Sequence, residues 1–183
     1  MPRLPDFAYD RLTPTQRRVH DKIVAGPRGR VQGPLQVWLM SPEFAEHAQE
    51  LGVFCRYGTS LPKRLSELAI LITGAFWKAG FEWHVHAPIG IEAGLDRTAV
   101  EAIRTGKKPS FRRADEATLY EFARELLETR RVSEAVYQRA VTEFGLLGLL
   151  ELIGILGYYG LISMTITAFE VSIPDGAPEP FSD

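Results

Sequence analysis

One cysteine, Cys55, is all that the 183 residues contain. A single thiol excludes an intrachain disulfide, a CxxC redox pair and a thiolate zinc cluster. Its neighbours in "LGVFCRYG" are mostly apolar, so Cys55 reads as a buried structural thiol and not as a nucleophile. Excess positive charge is also missing: 21 Lys and Arg face 23 Asp and Glu, a formal net charge of −2. That balance provides no general attraction to nucleic acid phosphates or anionic lipid. The small basic clusters at Arg17-Arg18 and from Lys107 to Arg113 read as solvated surface. No alternating β pattern of useful length and no low-complexity segment occurs. The opening "MPRLPDFAYD" lacks the apolar stretch of a secretory signal, and a cytoplasmic location is expected.

Apolar residues at 45% and charged residues at 24% are the balance of a folded soluble protein. The length suits one domain spanning 1–183, with proline-rich arms at 1–13 and 174–183. The run Phe144 to Phe169 has the length of a membrane span. It nevertheless carries Glu151, and a carboxylate at a bilayer centre costs about 2.5 kcal/mol or more. Five glycines interrupt it and no basic flank follows. A core or interface helix is therefore expected, not a span. A rod apolar nearly all round is hard to bury within one subunit of this size, which predicts a homo-oligomer with the Gly145 to Ala168 region near the interface.

Helix punctuation recurs along the chain. Thr13-Pro14 and Ser41-Pro42 read as N-cap and first helical residue, with Gly26 and Gly52 as stops. Leu61-Pro62 opens a helix expected to run to Gly80, with Leu65, Leu68, Ala69, Ile72, Ala75, Phe76 and Ala79 as its core stripe. Asp96 caps a short helix closed by Gly106, Asp115 caps the next, and Ser133 starts another ahead of the apolar rod. The fold class is all-α, with about seven or eight helices.

The stretch "GFEWHVHAPIG", residues 80–90, concentrates the chemistry. In a helical setting Glu82 and His86, four apart, share a face, whereas His84 turns away from His86. An HxH pair binds zinc or iron well from a strand, but a helix needs histidines four apart. The spacing thus favours a Glu82–His86 pair over a metal site built on His84, His86 and Glu82. Pro88 predicts a kink or a frayed start.

The segment "RLSELAILITGAFWKAGFEWHVHAPIGIEAGLDRTAVEAI" resembles the carboxymuconolactone decarboxylase superfamily, which includes the AhpD-type alkyl hydroperoxidases. An "RLxELAIL" helix, an E-W-x-x-H opening the next helix and a following "AGL" carry the likeness. The later "ELIGILGYYGLISMTITAFEVSIP" is similar to the superfamily's C-terminal helix, so the resemblance spans roughly residues 35 to 175. It implies a multi-helix bundle of the AhpD type that assembles as a dimer, trimer or hexamer.

In the peroxidase branch the resemblance implies a glutamate on the first helix, a CxxC at the start of the second, and a histidine four residues after the second cysteine. Glu67 and His86 stand at the first and last of these positions, but Ala79 and Glu82 replace the cysteines. Disulfide chemistry needs a thiolate, so thiol peroxidase activity is not expected. What the resemblance leaves is a proton relay of Glu67, Glu82 and His86. Trp83, Tyr158 and Tyr159 are the expected pocket walls, and Arg56 and Arg64 the arginines available to an acidic substrate. A cofactor-free acid/base enzyme acting on a small lactone, carboxylic acid or carbonyl compound is expected, by decarboxylation, isomerisation or hydrolysis. The alternatives are a non-catalytic binding or structural oligomer of the same fold and, behind it, a metal enzyme using His84 or His86.

Overall fold

A computed structural model describes residues 3, 7–174 and 176–182. Among these the regular structure is wholly helical: α1 (Pro14–Ala25), α2 (Pro34–Trp38), α3 (Pro42–Val53), α4 (Lys63–Phe76), α5 (Gly80–Glu92), α6 (Arg97–Arg104), α7 (Ala114–Thr129) and α8 (Glu134–Phe169). A 3₁₀ turn at Tyr9–Arg11 precedes them, and a π-helical turn, Phe54–Gly58, follows α3. This is the all-α architecture expected, with eight α-helices.

Side-chain caps hold two of these helix starts, whereas Asp115, the expected cap of α7, lies inside its first turn behind Arg113. Thr13 and Gln16 form a reciprocal capping box at α1, and the Asp96 carboxylate accepts from the Thr98 amide at α6. The end of α4 departs from expectation. The helix stops at Phe76 because Lys78 takes a left-handed conformation (φ 50°), with Ala79 N–H donating to Gly74 O and Lys78 N–H to Ala75 O. This is a Schellman closure in which lysine fills the place glycine usually takes. Gly80 accordingly opens α5 instead of ending α4. Phe76, expected in the core stripe, is 43% exposed and stacks edge-on against Trp77.

Helix α4 is the axis of the fold, with α5, α7 and α8 packed around it. Every residue from Leu65 to Gly74 is buried, so the predicted stripe widens to a full turn of the helix surface. Close approach of α5 depends on Gly90, where a Cβ would meet Leu95 Cδ1 at 2.9 Å and Leu71 Cδ1 at 3.2 Å. Pro88 lies inside α5 on an exposed position, and the helix continues through it to Glu92. Removing one donor there costs α5 a hydrogen bond without ending it.

Helix α8 joins the two helices expected near the C-terminus across a break at Gly145 (φ 67°, ψ 172°). By length and composition it could cross a membrane, and 44% of its apolar window is buried. Glu151 is not left facing hydrocarbon: it accepts hydrogen bonds from the Ser60 amide and hydroxyl, at 2.7 and 2.5 Å. Of the expected arms at 1–13 and 174–183, residues 1, 2, 4–6, 175 and 183 lie outside the described residues, and described neighbours in both make contacts. Phe181 stacks edge-on against Trp83 at 5.4 Å, Arg104 donates to the Pro180 carbonyl, and Arg3 pairs with Glu170 at 2.6 Å.

Candidate active site

Helix α4 carries Glu67 on the side that α5 covers, and α5 presents Glu82 and His86 one turn apart on the opposing face. The three meet. His86 Nδ1 lies 2.6 Å from Glu67 Oε2, and its Nε2 lies 2.9 Å from Glu82 Oε1. All three side chains are buried, at 5% exposure or less. Burial by itself would depress the His86 pKa, but the Glu82 charge and the hydrogen bonds to Glu67 and Glu82 outweigh it and lift the value to about 9. At neutral pH the ring is therefore protonated, hydrogen-bonded to Glu67 through Nδ1 and ion-paired with Glu82 through Nε2.

Two tyrosines of α8 complete the surroundings. The Tyr159 ring stands edge-on to His86 at 5.4 Å, and Tyr158 stands edge-on to Tyr159 at 5.3 Å. Burial, then the nearby Glu82 charge, keeps the Tyr159 phenol well above its usual range. Burial also pushes Tyr158 up to about 12, although Arg28 beside it acts the other way. Both hydroxyls stay protonated at neutral pH. Arg28 Nη2 donates to Tyr158 Oη at 3.1 Å, in a gap that exists because residue 52 is glycine. A Cβ at Gly52 would lie 2.0 Å from that hydroxyl and 2.3 Å from Arg28 Nη2.

A chamber of about 40 Å³ reaches Glu82 and His86 between Tyr158, Tyr159, Arg28 and Arg56. It shares Arg28, Arg56, Phe81 and Val85 with a larger, outer cavity of about 460 Å³, which Arg30 and His84 also line. A third cavity, about 370 Å³, reaches Glu67 from the side of Arg56, Lys63 and Glu92. Arg56 borders all three, held on the π-helical turn after α3. Such turns insert one extra residue into a helix and re-aim the side chains that follow.

Of the residues singled out in the sequence, Glu67, Glu82, His86, Tyr158 and Tyr159 come together. Trp83 does not join them: it is buried against Phe181 of the C-terminal segment and lines none of these three cavities. A neighbour in sequence is turned away because successive residues of a helix differ by about 100°. Arg64 is likewise elsewhere, paired with Asp115 at 2.6 Å and with Glu116. Arg28 and Arg30 had no signal in the sequence, since "GPRGR" reads as an exposed turn. His84 lies in the outer cavity, apart from His86. Among the described residues no three His, Cys, Asp or Glu side chains form a group suited to a metal ion.

No protein-family model and no curated protein matches the sequence. Solved structures do share its fold. One is described as an alkylhydroperoxidase AhpD core, an uncharacterised peroxidase-related protein from Ralstonia eutropha JMP134, with TM-score 0.75 and 15% identity over 98% of this chain and 94% of that one. An uncharacterised peroxidase-related protein from Silicibacter sp. TM1040 gives TM-score 0.74 and 14% identity over 93% and 91%. A debrominase in complex with 2,3,4-tribromopyrrole gives 0.67 and 15% over 95% and 90%. The chain thus has the AhpD-like fold, as the resemblance implies.

Proposed function

We propose that the protein is a cofactor-free acid/base enzyme that acts on a small lactone, carboxylic acid or carbonyl compound. One observation carries this reading: a buried histidine held at both ring nitrogens by carboxyl groups, with Glu82 and His86 bordering a chamber that shares walls with a larger cavity. A debrominase of the same fold holds a small ring compound, which supports a small-molecule substrate. In a decarboxylation the C–C bond to the carboxylate breaks, carbon dioxide leaves, and the electron pair passes into the substrate's conjugated system. The carbon then needs a proton. His86 with Glu82 delivers it, and Glu67 holds the ring in place and compensates its charge. Isomerisation or lactone opening uses the same proton at a different atom. The missing second cysteine argues against thiol peroxidase chemistry.

The exposed apolar face of α8, with Leu146, Leu147 and Leu150 each more than 60% exposed, supports a homo-oligomer in which a second copy covers it.

The engagement of both His86 nitrogens favours one competing reading, a purely structural ion triad that fastens α4 to α5 in a non-catalytic protein. Turnover decides between them. With a panel of lactones, keto acids and unsaturated acids, Glu82→Gln and His86→Ala should each remove any activity found. Activity that survives in both variants sinks the acid/base reading.

A further inference from the structure

The outer cavity is basic in a chain whose net charge is −2. Arg28, Arg30, Arg56 and His84 line it, and no aspartate or glutamate does. Nor are these arginines spent on ion pairs. Among the described residues none of the three is paired with a carboxylate: Arg28 has the Tyr158 hydroxyl and Arg56 lies over the Tyr57 ring at 5.2 Å. Arg28 Nε, moreover, is buried with no hydrogen-bond partner. An orphaned buried guanidinium donor is costly unless something fills it. Arg28 and Arg56 also wall the inner chamber, so both reach the space in front of Glu82 and His86.

We propose that Arg28 and Arg56 anchor the carboxylate of a small organic monoanion, whose remaining atoms face Glu82 and His86. Guanidinium groups bind carboxylates through paired, charge-assisted N–H donors, and the free Arg28 Nε–H is one such donor. Charge sets the preference for a single negative charge. Two carboxyl groups, Glu67 and Glu82, flank one imidazole, an arrangement that opposes a phosphate dianion more than a carboxylate. Arg30 and His84 line the larger cavity but not the chamber and add to the positive charge there. Apolar Leu35, Phe81 and Val85 suit the hydrocarbon part of such a ligand. The anchor deepens the acid/base reading and rests on it for the placement of the substrate's reacting end.

The test uses acetate, crotonate and benzoate, each beside its primary amide, with phenyl phosphate as a further arm. Binding to the full chain is read by thermal shift and calorimetry. At least one carboxylate should raise the melting temperature at millimolar concentration while its amide does not, and added sodium chloride should weaken the effect. Arg28→Gln and Arg56→Gln should each lower that carboxylate's affinity tenfold or more, Arg56→Lys less, and the exposed Arg112→Gln not at all. Glu82→Gln should tighten binding, since it removes the opposing charge. Equal response to acid and amide, stronger response to phenyl phosphate, unaltered binding in both arginine variants, or no response to any carboxylate overturns the anchor. Turnover separates the two proposals. Carboxylates bound through Arg28 and Arg56 but never converted would count against the acid/base reading alone, and conversion of neutral compounds unaffected by the arginine variants against the anchor alone.

Discussion

His86 Nδ1 and Glu67 Oε2, 19 residues apart in the chain, lie 2.6 Å apart in the core and join α5 to the central helix α4. The contact exists only because α4 ends in a left-handed turn at Lys78 and α5 returns along it. Both residues are buried; Glu67 is paired with His86, whereas His86 is paired with Glu82 as well.

Glu67→Gln should therefore lower stability by about 1.5 to 3 kcal/mol, the scale for a buried hydrogen bond to a charged group, because Glu82 still pairs with the ring. Chemical denaturation followed by circular dichroism measures it. A loss well under about 1 kcal/mol would mean that water or a neighbour replaces the carboxylate.

The same clasp makes stability depend on pH in a defined window. His86 has its pKa raised to about 9 from an ordinary 6.5, with the Glu82 charge and the hydrogen bonds to Glu67 and Glu82 overriding burial. A group that binds its proton more tightly when folded stabilises the fold fully below the unfolded value and loses that contribution as pH rises through the folded one. Stability should fall between about pH 6.5 and 9, by at most about 3 kcal/mol. His86→Gln, titrated alongside, should lack this part of the slope.

Gly52→Ala tests the seat of Arg28 and Tyr158. The new methyl would meet both groups, so the hydrogen bond between them must open. A loss of about 1 to 3 kcal/mol is expected from overpacking, together with weaker carboxylate binding. Unchanged melting and binding would mean that both side chains move aside without consequence.

Cys55 should be chemically silent in the folded protein. It is 1% exposed, and burial pushes its thiol pKa up. A disulfide reagent such as Ellman's should find no reactive thiol natively and one per chain in denaturant. Fast native labelling would contradict the buried structural role.

Leu147→Glu combined with Leu150→Glu should turn the assembled protein into monomers by light scattering. Both leucines are more than 60% exposed on α8. A wild-type monomer at micromolar concentration would remove the oligomer proposal.

How much of this was legible before folding differs from element to element. The caps at Thr13 and Asp96 and the spacing of Glu82 and His86 are local facts, and local backbone geometry obeys them. The end of α4 was not legible, because a lysine there adopts the conformation that normally signals glycine. Nor was the π-helical turn that places Arg56, or the role of Trp83, which the C-terminal segment claims through Phe181.

An all-helical class, the shared face of Glu82 and His86 and the absence of a second cysteine each follow from residue type and a spacing of a few positions. That Glu67 closes on His86, that Arg64 is spent on Asp115 and Glu116, and that Arg28 and Arg56 both border the chamber became visible in the folded chain alone. Those relationships join residues far apart in the chain, and the packing of α4, α5, α7, α8 and the π-helical turn sets their distances.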